Sequence, residues 1–205
     1  MRVDERVVRV YFEMNGFFVR SAVMPTSKSA PKIGTDPVSF WVLNPAAKAQ
    51  VQRPELLLFA TQLPLVQQAN VVLKDWRSSH LPLSGARGSA AIVRFLEKNI
   101  VKQAPGLFAA EATPFANAAN TAALLKILVI PAFPTQEPYK AKLLELLTEA
   151  KVDAALSFRS TLQAVVDAVG SGWRSADSEA METLALLKSY DMIQSPQLEL
   201  FGGKH

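Results

Sequence analysis

The sequence contains no cysteine, which excludes disulfide scaffolds and zinc, iron–sulfur or thiol chemistry that depends on cysteine. It contains only two histidines, His80 and His205, so we expect neither a histidine-rich metal site nor a histidine-dependent catalytic triad. No apolar run is as long as the roughly 18 residues that cross a bilayer. The opening MRVDERVVRV carries two acids where a secretory signal needs a basic region followed by an apolar one. We therefore expect a cytoplasmic protein with no membrane partner.

The 205 residues are 49% hydrophobic, which is enough for a substantial core without covalent staples. The charge is unevenly distributed along the chain. Residues 1–105 contain 14 Lys and Arg and 7 Asp and Glu, a net charge of +7, whereas residues 106–205 contain 8 and 11, a net charge of −3. A basic half of this kind suits a polyanionic partner, and a solvated basic surface without any ligand explains the same numbers equally well.

Hydrophobic periodicity divides the first half into short elements. Apolar residues recur at three- and four-residue steps from Asp4 to Asn15, with Gly16 placed to end a helix. Later segments are rich in aromatic and β-branched residues, which favour strands. The first half predicts a helix over 4–15, strands over 17–24, 37–43 and 70–74, and a helix over 90–102.

The second half begins with a continuous apolar run, LLKILVI, which is typical of a central strand covered on both faces. The pattern then predicts, in order, a strand over 124–130, a helix over 138–150, a strand over 152–156, and helices over 158–169 and 177–190. Strand, helix and strand in this order favour a right-handed crossover. We predict one α/β domain over residues 1–205, with a central mixed β-sheet flanked by α-helices and residues 170–205 packed on it as a C-terminal helix and tail.

Several local sequences carry a resemblance to a known superfamily. They are ERVVRVYFEMNGFFV (5–19), PVSFWVLNP (37–45), ANVVLKDW (69–76), LKILVIPAFP (125–134) and YDMIQSPQLELFG (190–202). Together with the order of the predicted elements, they resemble a bacterial branch of the restriction-endonuclease-like PD-(D/E)xK nuclease superfamily. The resemblance runs in patches from Glu5 to Phe201 and implies a restriction-endonuclease-like fold.

The resemblance also implies a site in which two acids hold a divalent cation and a lysine lies beside the phosphate. In this chain Lys74 stands at the lysine position, but the two acid positions are filled by Ser39 and Val72. The residues after the lysine depart as well, with Asp75 and Arg77 where the branch favours Gly and His. Neither a hydroxyl nor an isopropyl group replaces an anionic metal ligand. The sequence therefore predicts a degenerate nuclease, with no assigned catalytic residue, no metal and no cofactor.

An active nuclease remains an alternative if carboxylates have moved to other elements. Glu13 and Asp36 are the candidates that could join Lys74 around Mg²⁺. Glu55 and Asp75 are also near in sequence, but Asp75 should face away from Lys74 in a regular strand. Against this alternative, Arg9 lies one helical turn before Glu13 and can pair with it. Asp36 lies two residues after Gly34 and fits an ordinary turn.

The hypothesis that we favour is that the protein is non-catalytic and that its basic N-terminal half binds DNA or RNA. Contacts with phosphates would come from basic side chains near the degenerate site. The candidates are Arg6, Arg9, Arg20, Lys74 and Arg77. A further alternative is an interaction module without a nucleic-acid role, in which the apolar helices of residues 158–190 contact a protein partner or a second copy of the chain.

Overall fold

The computed structural model describes residues 3–22, 38–47, 53–73, 89–108, 124–171 and 179–193. Their elements follow in chain order. They are α1 (Val3–Met14), β1 (Phe18–Ser21), β2 (Val38–Leu43), β3 (Leu57–Leu58), a 3-10 helix (Ala60–Leu65), β4 (Gln68–Leu73), α2 (Ser89–Asn99), a 3-10 turn (Val101–Gln103), α3 (Ala104–Leu107), β5 (Leu125–Ile130), α4 (Glu137–Glu149), β6 (Ala154–Ser157), α5 (Phe158–Gly170) and α6 (Glu179–Ser189).

The six strands form one sheet in the order β1-β2-β4-β5-β6-β3. β2 is antiparallel to both of its neighbours, β1 and β4, whereas β4, β5, β6 and β3 run parallel to one another. The predicted class is confirmed: the chain is a single α/β domain with a mixed central sheet flanked by helices. Short β3 was not predicted from the sequence, because two residues give no periodicity and their pairing with β6 is fixed only in the folded chain.

The helices form two groups on the two sides of the sheet. α2 contacts α4, and both belong to crossovers between parallel neighbours, so right-handed connections place them on the same side. α1 contacts α5 and α6 instead. The Phe12 ring of α1 packs edge-to-face on Phe17, with ring centroids 5.3 Å apart. Phe17 shares a side with Val19, which packs on the core, while intervening Phe18 is 61% exposed. α1 therefore covers the Val19 side of the sheet.

The core runs through the sheet and both helix groups. Every residue of β4 is buried, and β5 is buried except at Lys126. This pattern confirms that LLKILVI supplies a central strand covered on both faces. Gly16 has φ 83°, a left-handed conformation that suits glycine, and it turns the chain from α1 into β1. Within the ranges described, no helix combines the length and apolarity needed to span a bilayer.

Most predicted elements agree with the structure to within a few residues. The strand predicted over 17–24 ends at Ser21, and residues 23–24 lie outside the described ranges. The last described helix, α6, contacts α5 and α1. Residues 194–205, the predicted tail, lie outside the described part of the chain.

Candidate functional site

Ser39 and Val72, the two positions where the resemblance expects acids, are direct partners across the antiparallel β2–β4 pair. Directly opposite residues project to the same face of a sheet, with Cβ atoms about 4.5–5.5 Å apart. Ser39 is 2% exposed and Val72 is fully buried. The structure thus brings these two positions together, in the interior of the domain.

Ser39 forms a buried hydrogen bond that the sequence did not predict. Its Oγ donates to Asn70 Oδ1 at 2.5 Å, and Asn70 is itself only 2% exposed. Asn70 lies two residues before Val72, so both project to the face that carries Ser39. The signal was an asparagine within an otherwise apolar strand, because asparagine is rare in strands and a buried amide requires a partner.

The same face carries a row of larger side chains across four strands. Arg20 pairs with Trp41, Trp41 with Asn70, and Asn70 with Lys126, so these four residues occupy one level of the sheet. Arg20 and Lys126 are exposed, whereas Trp41 and Asn70 are buried. Lys126 Nζ lies 6.0 Å from the centroid of the Phe108 ring, just after α3. The face with Ser39 is therefore the side of α2 and α3, and α1 lies on the other side.

Neither described candidate for a displaced acid reaches Ser39 and Val72. Glu13 lies on α1, across the sheet, and its Oε1 is 2.8 Å from Arg9 Nε. Glu55 is exposed and lies just before β3, at the sheet edge farthest from β1. The Arg9–Glu13 pair is the one expected from their four-residue spacing. The other residues singled out in the sequence lie outside the described ranges. They are Asp36, Lys74, Asp75, Arg77 and His80.

The chemistry of the described site is neutral. Ser39 donates its hydroxyl hydrogen to an amide oxygen, which is not a base that could activate the serine as a nucleophile. Val72 offers no ligand atom. In the ranges that the structure describes, no three His, Cys, Asp or Glu side chains come together in a way that could hold a metal ion. The described part of the site can be assigned a packing role, held by one buried hydrogen bond.

Basic side chains occur on both sides of the sheet. Arg6 and Arg9 lie on α1, and both are partly buried, whereas Arg20 is exposed on the side of α2. The structure does not bring these three arginines to one surface. Sequence reasoning also missed a second basic group, formed by the exposed residues Arg94, Lys98 and Lys102 on α2 and the following turn. Their four-residue spacing was the available signal.

Comparison of the chain with models of protein families, with curated proteins and with solved structures finds no match.

Proposed function

We propose that this chain is a non-catalytic member of the restriction-endonuclease-like nucleases that binds DNA or RNA. The observation that carries the proposal is the register of β2 and β4, which sets Ser39 directly opposite Val72. If these are the former acid positions, a hydroxyl and an isopropyl group have replaced a facing pair of carboxylates.

Loss of both carboxylates would remove the basis of the reaction. Mg²⁺ and similar hard cations bind to anionic oxygens, and the bound metal helps to generate hydroxide and to stabilise charge on the phosphate. The Ser39 hydroxyl is neutral and already donates to Asn70. A lysine at position 74 could contact a phosphate without this metal, but it could not supply the missing Lewis acid.

Retained binding is supported by the charge of the chain and by exposed cations on the side of α2. Residues 1–105 carry a net charge of +7, from 14 basic and 7 acidic residues. Arg20 and Lys126 are exposed at the two ends of the row that crosses the sheet. Contacts of lysine and arginine with phosphates provide affinity that does not depend on sequence and that falls steeply with salt.

Binding is tested by fluorescence anisotropy with a short labelled DNA duplex and a labelled RNA of the same sequence. We expect at least one of them to bind, with the logarithm of the association constant falling linearly as the logarithm of salt concentration rises. The titrations cover about 50–200 mM salt, where several phosphate contacts give a large change. Failure to bind either molecule at the lowest salt would refute the proposal.

Absence of catalysis is tested separately with supercoiled plasmid in Mg²⁺ or Mn²⁺. Wild type and Lys74→Ala should leave the plasmid equally intact, because the facing positions hold no acid. The matched comparison excludes a contaminating nuclease, which would nick plasmid in both preparations. Metal-dependent nicking by wild type that Lys74→Ala abolishes would establish the alternative of an active nuclease with displaced acids.

A further inference from the structure

Arg94, Lys98 and Lys102 form a stripe of three cations along one side of α2 and its continuation; we call this the α2 stripe. The Ile100 amide donates to the Leu96 carbonyl at 2.9 Å, so helical bonding continues from α2 toward the 3-10 turn of Val101–Gln103. All three cations are exposed. At four-residue spacing their side chains lie on neighbouring turns, and the stripe is about 12 Å long.

No described acid forms an ion pair with the α2 stripe. The ion pairs in the described part of the chain are Arg9–Glu13, Arg53–Asp153, Lys140–Glu137 and Lys142–Glu145, and none involves the stripe. The charge of Glu97, the acid of α2, instead affects Lys142 on α4. The hydrogen bond that Lys142 donates to the Glu145 carboxylate is the main cause that raises the pKa of Lys142, and the negative charges of Glu145, Glu97 and Glu149 add to it.

We infer that the α2 stripe is the surface that binds the phosphate backbone of nucleic acid. This inference rests on the proposed function, and it assigns the binding to a surface of its own. Laid along the axis of a duplex, a stripe about 12 Å long spans three to four phosphates of one strand, since each strand carries one charge per about 3.4 Å of helix axis. Such a linear anion complements three exposed cations in a row.

A bilayer surface fits the α2 stripe less well. Helices that lie in a membrane interface insert an apolar face between lipids. The apolar side of α2 is already used within the domain, because Ile92, Phe95 and Leu96 are buried in the core. Only the charged side is available to a partner.

α1 offers a weaker surface to the same partner, although it has arginines at similar spacing. The Arg9 guanidinium is 2.8 Å from the Glu13 carboxylate and both side chains are only about one-third exposed, at 34% and 33%. A phosphate would have to displace this acid. A phosphate would therefore gain less binding free energy on α1 than on the α2 stripe.

The test is the neutral variant Arg94→Gln/Lys98→Gln/Lys102→Gln, compared with the control Lys140→Gln/Lys142→Gln/Lys151→Gln. Both variants remove three positive charges, but Lys140 and Lys142 of the control are paired with acids on α4. Binding to labelled DNA and RNA is measured over a salt series, and circular dichroism confirms that each variant is folded. Because the stripe variant can no longer neutralise three phosphates, the negative slope of log association constant against log salt should become shallower by about 2.7 for duplex DNA and by about 2.1 for a single strand. The control should keep the wild-type slope.

The outcomes separate the two proposals. If wild type binds and the two variants lose equal amounts of slope, overall charge governs binding and the assignment to the α2 stripe is wrong. The same conclusion follows if the stripe variant retains the full slope. If wild type binds neither nucleic acid, the proposed function itself fails. If polyglutamate displaces wild type as effectively as unlabelled DNA of equal charge, the partner is an acidic protein segment rather than nucleic acid.

Discussion

The two faces of the β2–β4 pair are both buried, but they bury different kinds of side chain. On the α1 side, Phe40, Val42 and Val71 are fully buried, apolar and continuous with the main core. On the α2 side, the equally buried Ser39 and Asn70 satisfy each other with one hydrogen bond. The stability of the apolar face depends on the shape and volume of its side chains, whereas the stability of the polar face depends on the intact hydrogen bond between Ser39 and Asn70.

Because of this difference, the two faces should tolerate different substitutions. An apolar face loses stability in proportion to the volume removed, because close-packed neighbours refill a cavity only in part. A buried hydrogen bond contributes modestly in net terms, but one partner left alone retains its full desolvation cost. The polar face should therefore tolerate loss of both partners better than loss of one.

The largest expected effect is on the apolar face. Phe40→Ala should lower the free energy of unfolding by about 3–5 kcal/mol, because it removes a fully buried aromatic ring and leaves a cavity. Urea denaturation monitored by circular dichroism provides the measurement. Phe18→Ala is the matched control, since Phe18 is 61% exposed and its loss should change stability by less than about 0.5 kcal/mol. Equal effects of the two variants would contradict the assigned faces.

On the polar face, Ser39→Ala should cost about 1–3 kcal/mol, because it leaves the Asn70 oxygen buried without its donor. The double variant Ser39→Ala/Asn70→Leu should recover most of this loss, since both polar groups are then gone. A double-mutant cycle in urea measures the coupling. Additive losses would show that the two residues do not act as a pair.

At alkaline pH the apolar side should lose stability through Tyr11 of α1. Burial raises the pKa of Tyr11 above its ordinary value of 10.0. As pH rises above about 10, the unfolded chain releases this proton while the folded chain retains it, so the free energy of unfolding falls. Tyr11→Phe should reduce the difference in stability between about pH 9 and pH 11, measured in urea. Tyr190→Phe, at a site 72% exposed, should leave the difference unchanged.

The smallest effect is expected on the outer surface of α1. Arg9→Ala should lower stability by only about 0.3–0.5 kcal/mol, as expected for a partly exposed pair four residues apart on a helix. Thermal unfolding at low and high salt checks this value, and the effect should shrink at high salt. A loss above about 1 kcal/mol would show that Arg9 has a role beyond this pair.

Local patterns predicted most of the elements of this fold. The apolar run around Ile127 and Leu128 indicated a strand covered on both faces, and the spacing of Val7, Val8 and Tyr11 indicated an amphipathic helix. These patterns are reliable because burial imposes the period of the element on neighbouring residues. The two-residue strand β3 has no such period.

The candidate site was only partly accessible to sequence reasoning. The resemblance to the nuclease superfamily singled out Ser39 and Val72, but the pairing of these two residues, 33 positions apart in the chain, depends on the register of β2 and β4. Glu13 was a candidate by its position in sequence, and the sheet separates it from Ser39. Asn70 was overlooked because its partner is 31 residues away.

Hydrophobic period and charge are local properties, so the amino-acid sequence alone was enough to predict the α/β class, the order of most elements and the basic character of the first half. Which residues share a face became clear only in the folded chain. The fold paired Ser39 with Asn70, separated the arginines of α1 from Arg20, and left the α2 stripe exposed. Strand register and the placement of helices result from packing between distant segments, which no window along the chain contains.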